Sequence, residues 1–249
     1  MRTERKYVLS VAGFDPSAGA GLLADIKTLE SNKVYGLGVI TANTFQSDTE
    51  FKAIDWIPVE KILAQIDLLR TRFPFEYVKI GLIESLEVLR VIVEYCQQFA
   101  GKIIWDPIVR SSTGWEFHKK ADISLLESIL AKIFLLTPNV AEAKFLSGKE
   151  DAEKGAEYLS KFCHVYLKGG HNETKPGYDE LFLAEGKRFS FRPKLKDLNG
   201  KHGSGCVLSS AITANLAKGE NLHRACLKGK EYAERFLAST GTLIGYHRI

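Results

Sequence analysis

Short, β-branched apolar runs alternate along this chain with amphipathic stretches, and each run closes on glycine, aspartate or proline. That rhythm restricts the fold to a largely parallel sheet with helices packed on it. Tyr7 to Gly13 reads as a buried strand and Gly21 to Ser31 as the helix that follows. Gly36 to Thr44 is a second strand, and Val59 to Thr71 has apolar positions at helical spacing. Tyr77 to Gly81, Leu86 to Phe99 and Lys102 to Pro107 continue as strand, helix and strand, and Ile133 to Pro138 and His164 to Gly170 add further strands. After Gly170 the pattern changes, with Tyr178 to Ala184 and Lys187 to Phe191 reading as a hairpin turned by Glu185-Gly186. Helix resumes at Cys206 and is stopped by Gly219. The expected architecture is α/β: a three-layer α/β/α domain over residues 1–249, with a central mostly parallel sheet and a late β-hairpin.

Composition agrees and removes several function classes. With 249 residues, 45% of them hydrophobic and 26% charged, one large sheet can bury a sizeable core, and no Ser/Gly/Pro-rich linker divides the chain. The net charge of +4 is spread among acidic residues with no basic arm or stripe. Its closest approach to one, Arg188 to Arg192, alternates charge with aromatics as a half-exposed strand does, so a nucleic-acid partner is not expected. Every apolar run is cut by charge or glycine well short of the roughly 20 residues that cross a bilayer. Cys96, Cys163, Cys206 and Cys226 are too far apart for a CxxC motif, and the N-terminus lacks signal-peptide regions, so a cytoplasmic location is expected.

The feature richest in chemistry is His202-Gly203-Ser204-Gly205-Cys206, a glycine-flanked turn leading into an apolar helix. Such a turn builds an anion site, because Gly203 and Gly205 let backbone N–H groups approach a phosphate and the helix start adds about half a positive charge. Fixed donors of this kind stabilise the charge on a transferring phosphoryl group. The same helix start is expected to lower the pKa of Cys206 toward a thiolate near neutral pH. Read alone, the string equally describes a glycine-rich helix start with a small buried cysteine, since a helix N-terminus binds anions only where it is exposed.

HGSGC resembles the anion-hole signature of the ribokinase-like superfamily, in the HGTGC form of the hydroxymethylpyrimidine and phosphomethylpyrimidine kinases, with Ser204 for Thr. Val11 to Gly21 and Ala24 to Thr28 resemble that family's AGxDPSGGAG…ADLKT segment. Ile40 to Gln46 resembles ITAxTxQ, Val78 to Leu82 VKIGM, Asp106 to Val109 DPVM, Thr137 to Ala143 TPNxxEA, and Leu167 to His171 VKGGH. Each motif is weak by itself, but they fall in order from about Val8 to the C-terminal helix.

The resemblance implies an ATP- and Mg²⁺-dependent kinase of thiamine biosynthesis, acting on hydroxymethylpyrimidine and its monophosphate as a homodimer. It implies that Gly13, Asp25 and Gln46 line the substrate pocket, with Leu82 and Val109 in its wall; a carboxylate and an amide suit the donor and acceptor of an aminopyrimidine. Asp106, Asn139, Glu142, Lys168 and Gly170 are implied around the nucleotide, with Asp106 and Glu142 on Mg²⁺. Cys206 is implied as the base, and Gly203, Ser204, Gly205 and Lys168 as the groups that hold the transferring phosphate. Taken singly, Asp25 is a helix-surface carboxylate, Gln46 a loop residue, Asn139 and Glu142 a helix cap, and Lys168 a solvated lysine.

Two departures from the pattern are visible. Leu82 replaces Met, a nearly volume-conserving change, and Arg110-Ser111-Ser112-Thr113-Gly114-Trp115 replaces a run of small residues, placing an Arg and a Trp near the expected phosphates and ring. Pyridoxal kinase is the nearest alternative activity, and a catalytically silent vitamin-precursor binding protein is an alternative of another class. A nicotinamide dehydrogenase, suggested by Gly19 to Ala24 as GxGxxA, fails on spacing. Asp15-Pro16 separates the strand from the glycines, and no acidic residue closes the next strand.

Overall fold

The computed structural model describes residues 5–110, 114–117, 122–170, 175–195, 198 and 200–247. Among the described residues nine strands form one sheet: β1 (Tyr7–Phe14), β2 (Tyr35–Gln46), β3 (Phe51–Trp56), β4 (Phe75–Ile80), β5 (Lys102–Trp105), β6 (Leu135–Leu136), β7 (His164–Leu167), β8 (Asp179–Phe182) and β9 (Arg188–Phe191). Their order is β3-β2-β1-β4-β5-β6-β7-β8-β9. The run from β2 to β7 is parallel, and β3, β8 and β9 are antiparallel. The helices are α1 (Gly21–Ser31), α2 (Val59–Arg70), α3 (Leu86–Cys96), α4 (Ile123–Leu130), α5 (Val140–Ser147), α6 (Ala152–Leu159), α7 (Ser204–Ala217) and α8 (Leu222–Leu237).

Helices α2 to α6 cover one face of the sheet, over a core that includes Leu9, Val11, Val39, Ile66, Ile80 and Ile92. Helices α1, α7 and α8 cover the other, over Val8, Leu29, Ile104, Tyr166 and Ile212. Strand residues alternate between faces. Val78 and Ile80 therefore point into the first core and Lys79 into the second, where it is fully buried among α1 and α7.

The late hairpin forms as expected, with Gly186 at φ 87° in its turn. β3 was not expected: β2 runs past Thr44, turns back where the Ser47 N–H donates to the Glu50 carbonyl at 2.8 Å, and pairs with Phe51–Trp56. Lys52, Ala53 and Asp55 are exposed on this edge strand, which left its sequence without a buried-strand pattern. β5 stops at Trp105 and β6 at Leu136, short of the prolines, whose missing N–H groups end the ladder.

Helices α7 and α8 pack closely because Gly229 has no side chain. A Cβ built there lies 2.4 Å from Ile212 Cγ1. Gly229→Leu should therefore force the pair apart and destabilise the fold by about 1–3 kcal/mol, read as a lowered urea midpoint. An unchanged midpoint would show that this interface can give way.

Candidate functional site

The chain leaves β1 for β2 on one side and returns through β4 on the other, so the order of strand addition reverses between β1 and β4. In open α/β sheets ligands bind outside the carboxyl ends of the strands at this switch. Gly13, Gln46, Gly81, Asp106 and Lys168 all stand at those ends, and the first turn of α7 descends onto them.

The turn before α7 is locked from below. Gly203 has φ 74°, and a Cβ there would lie 2.0 Å from the Gly19 carbonyl oxygen, so only glycine lets α7 approach the loop between β1 and α1. The Asp15 carboxylate, buried under this turn, meets His202 Nε2 at 2.9 Å and accepts from the backbone N–H groups of Ser17 at 2.9 Å and Ala20 at 2.8 Å. Burial alone would raise the Asp15 pKa; His202 and the loop donors outweigh it and hold the carboxyl below its ordinary value. On the other side, Lys201 Nζ donates to the carbonyls of Thr240 at 2.7 Å and Thr242 at 2.6 Å. The Ser204 N–H reaches back to the Lys201 carbonyl at 3.3 Å. Helix geometry gives the Gly205 and Cys206 N–H groups no acceptor within α7.

Cys206 is buried in the first turn of α7. The expected thiolate is corrected here. Burial pushes the thiol up to about 12, against the opposing pull of Lys79, and the carboxylates of Asp25 and Asp106 add to the rise. A helix start lowers a thiol only if water or cations complete the solvation of the thiolate, and this sulfur is enclosed.

Asp25 also departs from its expected place. Its side chain is 0% exposed and Lys79's 1%, and Lys79 Nζ lies 2.8 and 3.0 Å from the two carboxylate oxygens. Ser10 Oγ donates to Oδ2 at 2.6 Å and Ser210 Oγ to Oδ1 at 2.7 Å, so both oxygens are engaged inside the protein. Lys79 was not expected at the site. A lysine between Val78 and Ile80 in a central strand was the available signal, since a charge there has to be paired.

Asp106 follows β5 and is buried. Its Oδ1 accepts from Thr137 Oγ1 at 3.0 Å and Lys168 Nζ at 2.8 Å, and its Oδ2 from Ser209 Oγ at 3.1 Å. Lys168 Nζ also lies 3.5 Å from Glu142 Oε2, and 3.4 Å from a Cβ built on Gly205, which brings its ammonium to the α7 turn. Asn139 and Glu142 form a full capping box on α5, as the cap reading had it. Burial raises Asp106, but Lys168 and Lys79 prevail and hold it below its ordinary value; burial also pushes Glu142 up, to about 7. Gly170 is exposed, with open space where a side chain would project.

Among the described residues no group of three or more His, Cys, Asp or Glu is placed to hold a metal. Asp106 and Glu142 fit a Mg²⁺ that arrives on phosphate oxygens and keeps most of its water, the usual manner of that ion, better than a protein cage.

On the substrate side Leu82 packs over Gly13, where a Cβ would meet Leu82 Cδ2 at 3.0 Å. Gln46, half-buried at the end of β2, donates from Nε2 to Thr44 Oγ1 at 2.8 Å. Val109 lines a cleft of about 150 Å³ at the carboxyl ends of β4 and β5, with Gly81, Ile83, Trp105, Pro107 and Phe145. Trp115 packs its ring 5.1 Å from Phe51 of β3, and Arg110 pairs with Glu116. Ser111 to Thr113 and His171 lie outside the described residues.

The phosphomethylpyrimidine kinase family model matches residues 15–247. The chain belongs to this family. It is 36% identical over 235 residues to the hydroxymethylpyrimidine/phosphomethylpyrimidine kinase of Aquifex aeolicus, covering 90% of this chain and 91% of that one. It is 29% identical to the Escherichia coli protein of the same name, covering 99% and 96%. The phosphomethylpyrimidine kinase structure from Clostridium difficile superposes with a TM-score of 0.77 at 29% identity, covering 92% of this chain and 98% of that one. Pyridoxal kinase from Staphylococcus aureus, in complex with AMP-PCP, gives 0.83 at 25% identity, covering 95% and 89%. The family's fold is the ribokinase-like α/β/α sandwich that the alternation of strands and helices implied.

Glu142 supplies a test of the site's electrostatics. A carboxyl raised from 4.5 to about 7 takes up a proton on folding within that window, so its contribution to stability falls as pH rises from about 4.5 to 7. Asp106, held low, acts only below its ordinary 3.8. Glu142→Gln should therefore flatten the decline in urea-unfolding free energy between about pH 5 and 7.5. A slope equal to the parent's would mean that Glu142 is already ionised in the folded protein.

Proposed function

We propose that this protein transfers the terminal phosphoryl group of ATP to the hydroxymethyl oxygen of 4-amino-5-hydroxymethyl-2-methylpyrimidine, and then to the resulting monophosphate, in thiamine biosynthesis. The observation that carries this reading is Lys168, whose ammonium joins Asp106 and Glu142 to the N-terminal turn of α7 at the carboxyl ends of the parallel strands. That is an arrangement of fixed donors and cation for a phosphoryl group in transit.

In this reading the ring lies over Gly13 and Leu82 with Gln46 at its edge. The transferring phosphoryl group is held by the N–H groups of Gly205 and Cys206, with Gly203 and Ser204 shaping the turn. Lys168 neutralises phosphate oxygens, and Asn139, Glu142 and Gly170 border the nucleotide. Mg²⁺, near Asp106 and Glu142, would supply charge neutralisation on the phosphates. The chain acts as a homodimer in the same reading.

Pyridoxal and the pyrimidine both offer a hydroxymethyl group on a nitrogen ring, so a side-by-side assay decides between them. Turnover of the pyrimidine, followed by product mass, should exceed that of pyridoxal. A preference for pyridoxal of more than about tenfold, roughly 1.4 kcal/mol in barrier, would overturn the substrate and leave the kinase chemistry standing.

Cys206 is proposed as the acceptor of the hydroxyl proton. With the thiol pushed up to about 12, only its small thiolate fraction can accept. The rate constant kcat should then climb about tenfold per pH unit between about pH 7 and 9, and Cys206→Asp should remove that slope. A flat profile in the parent enzyme would assign proton acceptance to the phosphoryl oxygens.

A further inference from the structure

The Asp25–Lys79 ion pair has no task in the reading above. Its placement supplies one. Gly21 and Asp25 stand one turn apart on α1, and Cys206 and Ser210 one turn apart on α7. Across the interface of these helices the Ser210 hydroxyl donates to Asp25 Oδ1 at 2.7 Å, which sets the Asp25 carboxylate about one helical turn along α7 from the Cys206 thiol. Lys79 rises from β4 beneath them, its Nζ 2.8 Å from Asp25 Oδ2.

The charged groups around the sulfur come from four elements: Lys79 of β4 and Lys168 at the end of β7 favour a thiolate, and Asp25 of α1 and Asp106 at the end of β5 oppose it. Asp25 is bound at both oxygens by Lys79, Ser10 and Ser210, and a ring amine would have to displace one of them. Loss of a buried partner is costly, which argues against Asp25 as a ring ligand.

We propose that Asp25 and Lys79 are positioning residues that set the charge on Cys206: Lys79 is the counter-ion of the thiolate, and Asp25, by neutralising Lys79, keeps the sulfur protonated in the resting enzyme. The thiol gives its proton to solvent base, and the resulting thiolate takes the hydroxyl proton as that oxygen attacks phosphorus. This rests on Cys206 as proton acceptor in the proposed reaction, but the titration that tests it is read without turnover.

The test is a pH titration of the protein labelled with ¹³C at cysteine Cβ, with the Cys206 resonance assigned by its loss in Cys206→Ala. Cys96, Cys163 and Cys226, also buried and free, serve as internal references. The parent should show no thiolate shift at Cys206 up to about pH 10. Asp25→Asn should bring the thiolate into view between about pH 7 and 10, and the double variant Asp25→Asn/Lys79→Met should lose it again. A merely loosened fold would expose the sulfur and bring both variants to an ordinary thiol midpoint together, which would overturn the proposal. So would an Asp25→Asn thiol that stays protonated while the KM for the pyrimidine rises, since that returns Asp25 to the ring. If thermal melts show that Asp25→Asn does not fold, Asp25→Ser removes the same charge and is read the same way. Failure of the kinase assay with the titration as expected would leave the charge relation intact and overturn only the substrate reading.

Discussion

Contact between the first turn of α7 and the loop joining β1 to α1 is the interaction on which the site depends. These are distant parts of the chain, and they meet at backbone range because Gly203 faces the Gly19 carbonyl with no side chain between them. The Asp15–His202 pair then locks the approach in a place where neither group can return to water. A buried pair of this sort contributes little net stability, because desolvation offsets most of the attraction. It does fix a geometry, since separating its members strands a charge. From this one contact follow the depth of Cys206, the alignment of α1 with α7, and the direction in which the α7 N–H groups face.

Beneath that turn, opposite charges alternate across the ends of the central strands. Asp25 and Lys79 form one buried group under α1 and α7, and Asp106, Lys168 and Glu142 form another toward β5 to β7. Consecutive serines of α7 tie the two groups together, with Ser209 on Asp106 and Ser210 on Asp25. Each carboxylate is thereby oriented by a hydroxyl from the same helix that presents the anion turn. A shift of α7 would disturb both groups at once, so their orientations are tied to a common frame. Burial raises both carboxyls; Lys168 and Lys79 together hold Asp106 low, whereas Glu142, farther from Lys168 and beside the Asp106 charge, stays raised.

Much of this could be read from the chain. Gly13, Asp106 and Lys168 end strands whose β-branched runs are plain, so their place at the sheet's carboxyl edge followed from topology. The capping box of Asn139 and Glu142 is a local motif with a local cause. Strand β3 escaped notice because an edge strand exposed on both sides lacks the alternation that marks a buried one. Lys79 was visible only as part of a motif, although a lysine between two core residues already demanded a partner. The thiolate at Cys206 was a sound inference from an exposed helix start, and it failed because the sulfur itself is buried while Gly203 to Gly205 stay partly exposed.

The sequence by itself determined the layers of the sandwich, the parallel order of its βα units, and the presence of a glycine turn at the head of an apolar helix. Periodicity and turn chemistry act over a few residues, and they carry that information wherever the segment finally lies. Only the tertiary structure decided which charges meet. Asp25 finds Lys79 across 54 positions and Ser210 across 185, and His202 finds Asp15 across 187. The ionisation of a group depends on its burial and on partners at such separations. The sulfur of Cys206 therefore took its charge from how α1, α7 and β4 pack, which no local pattern records.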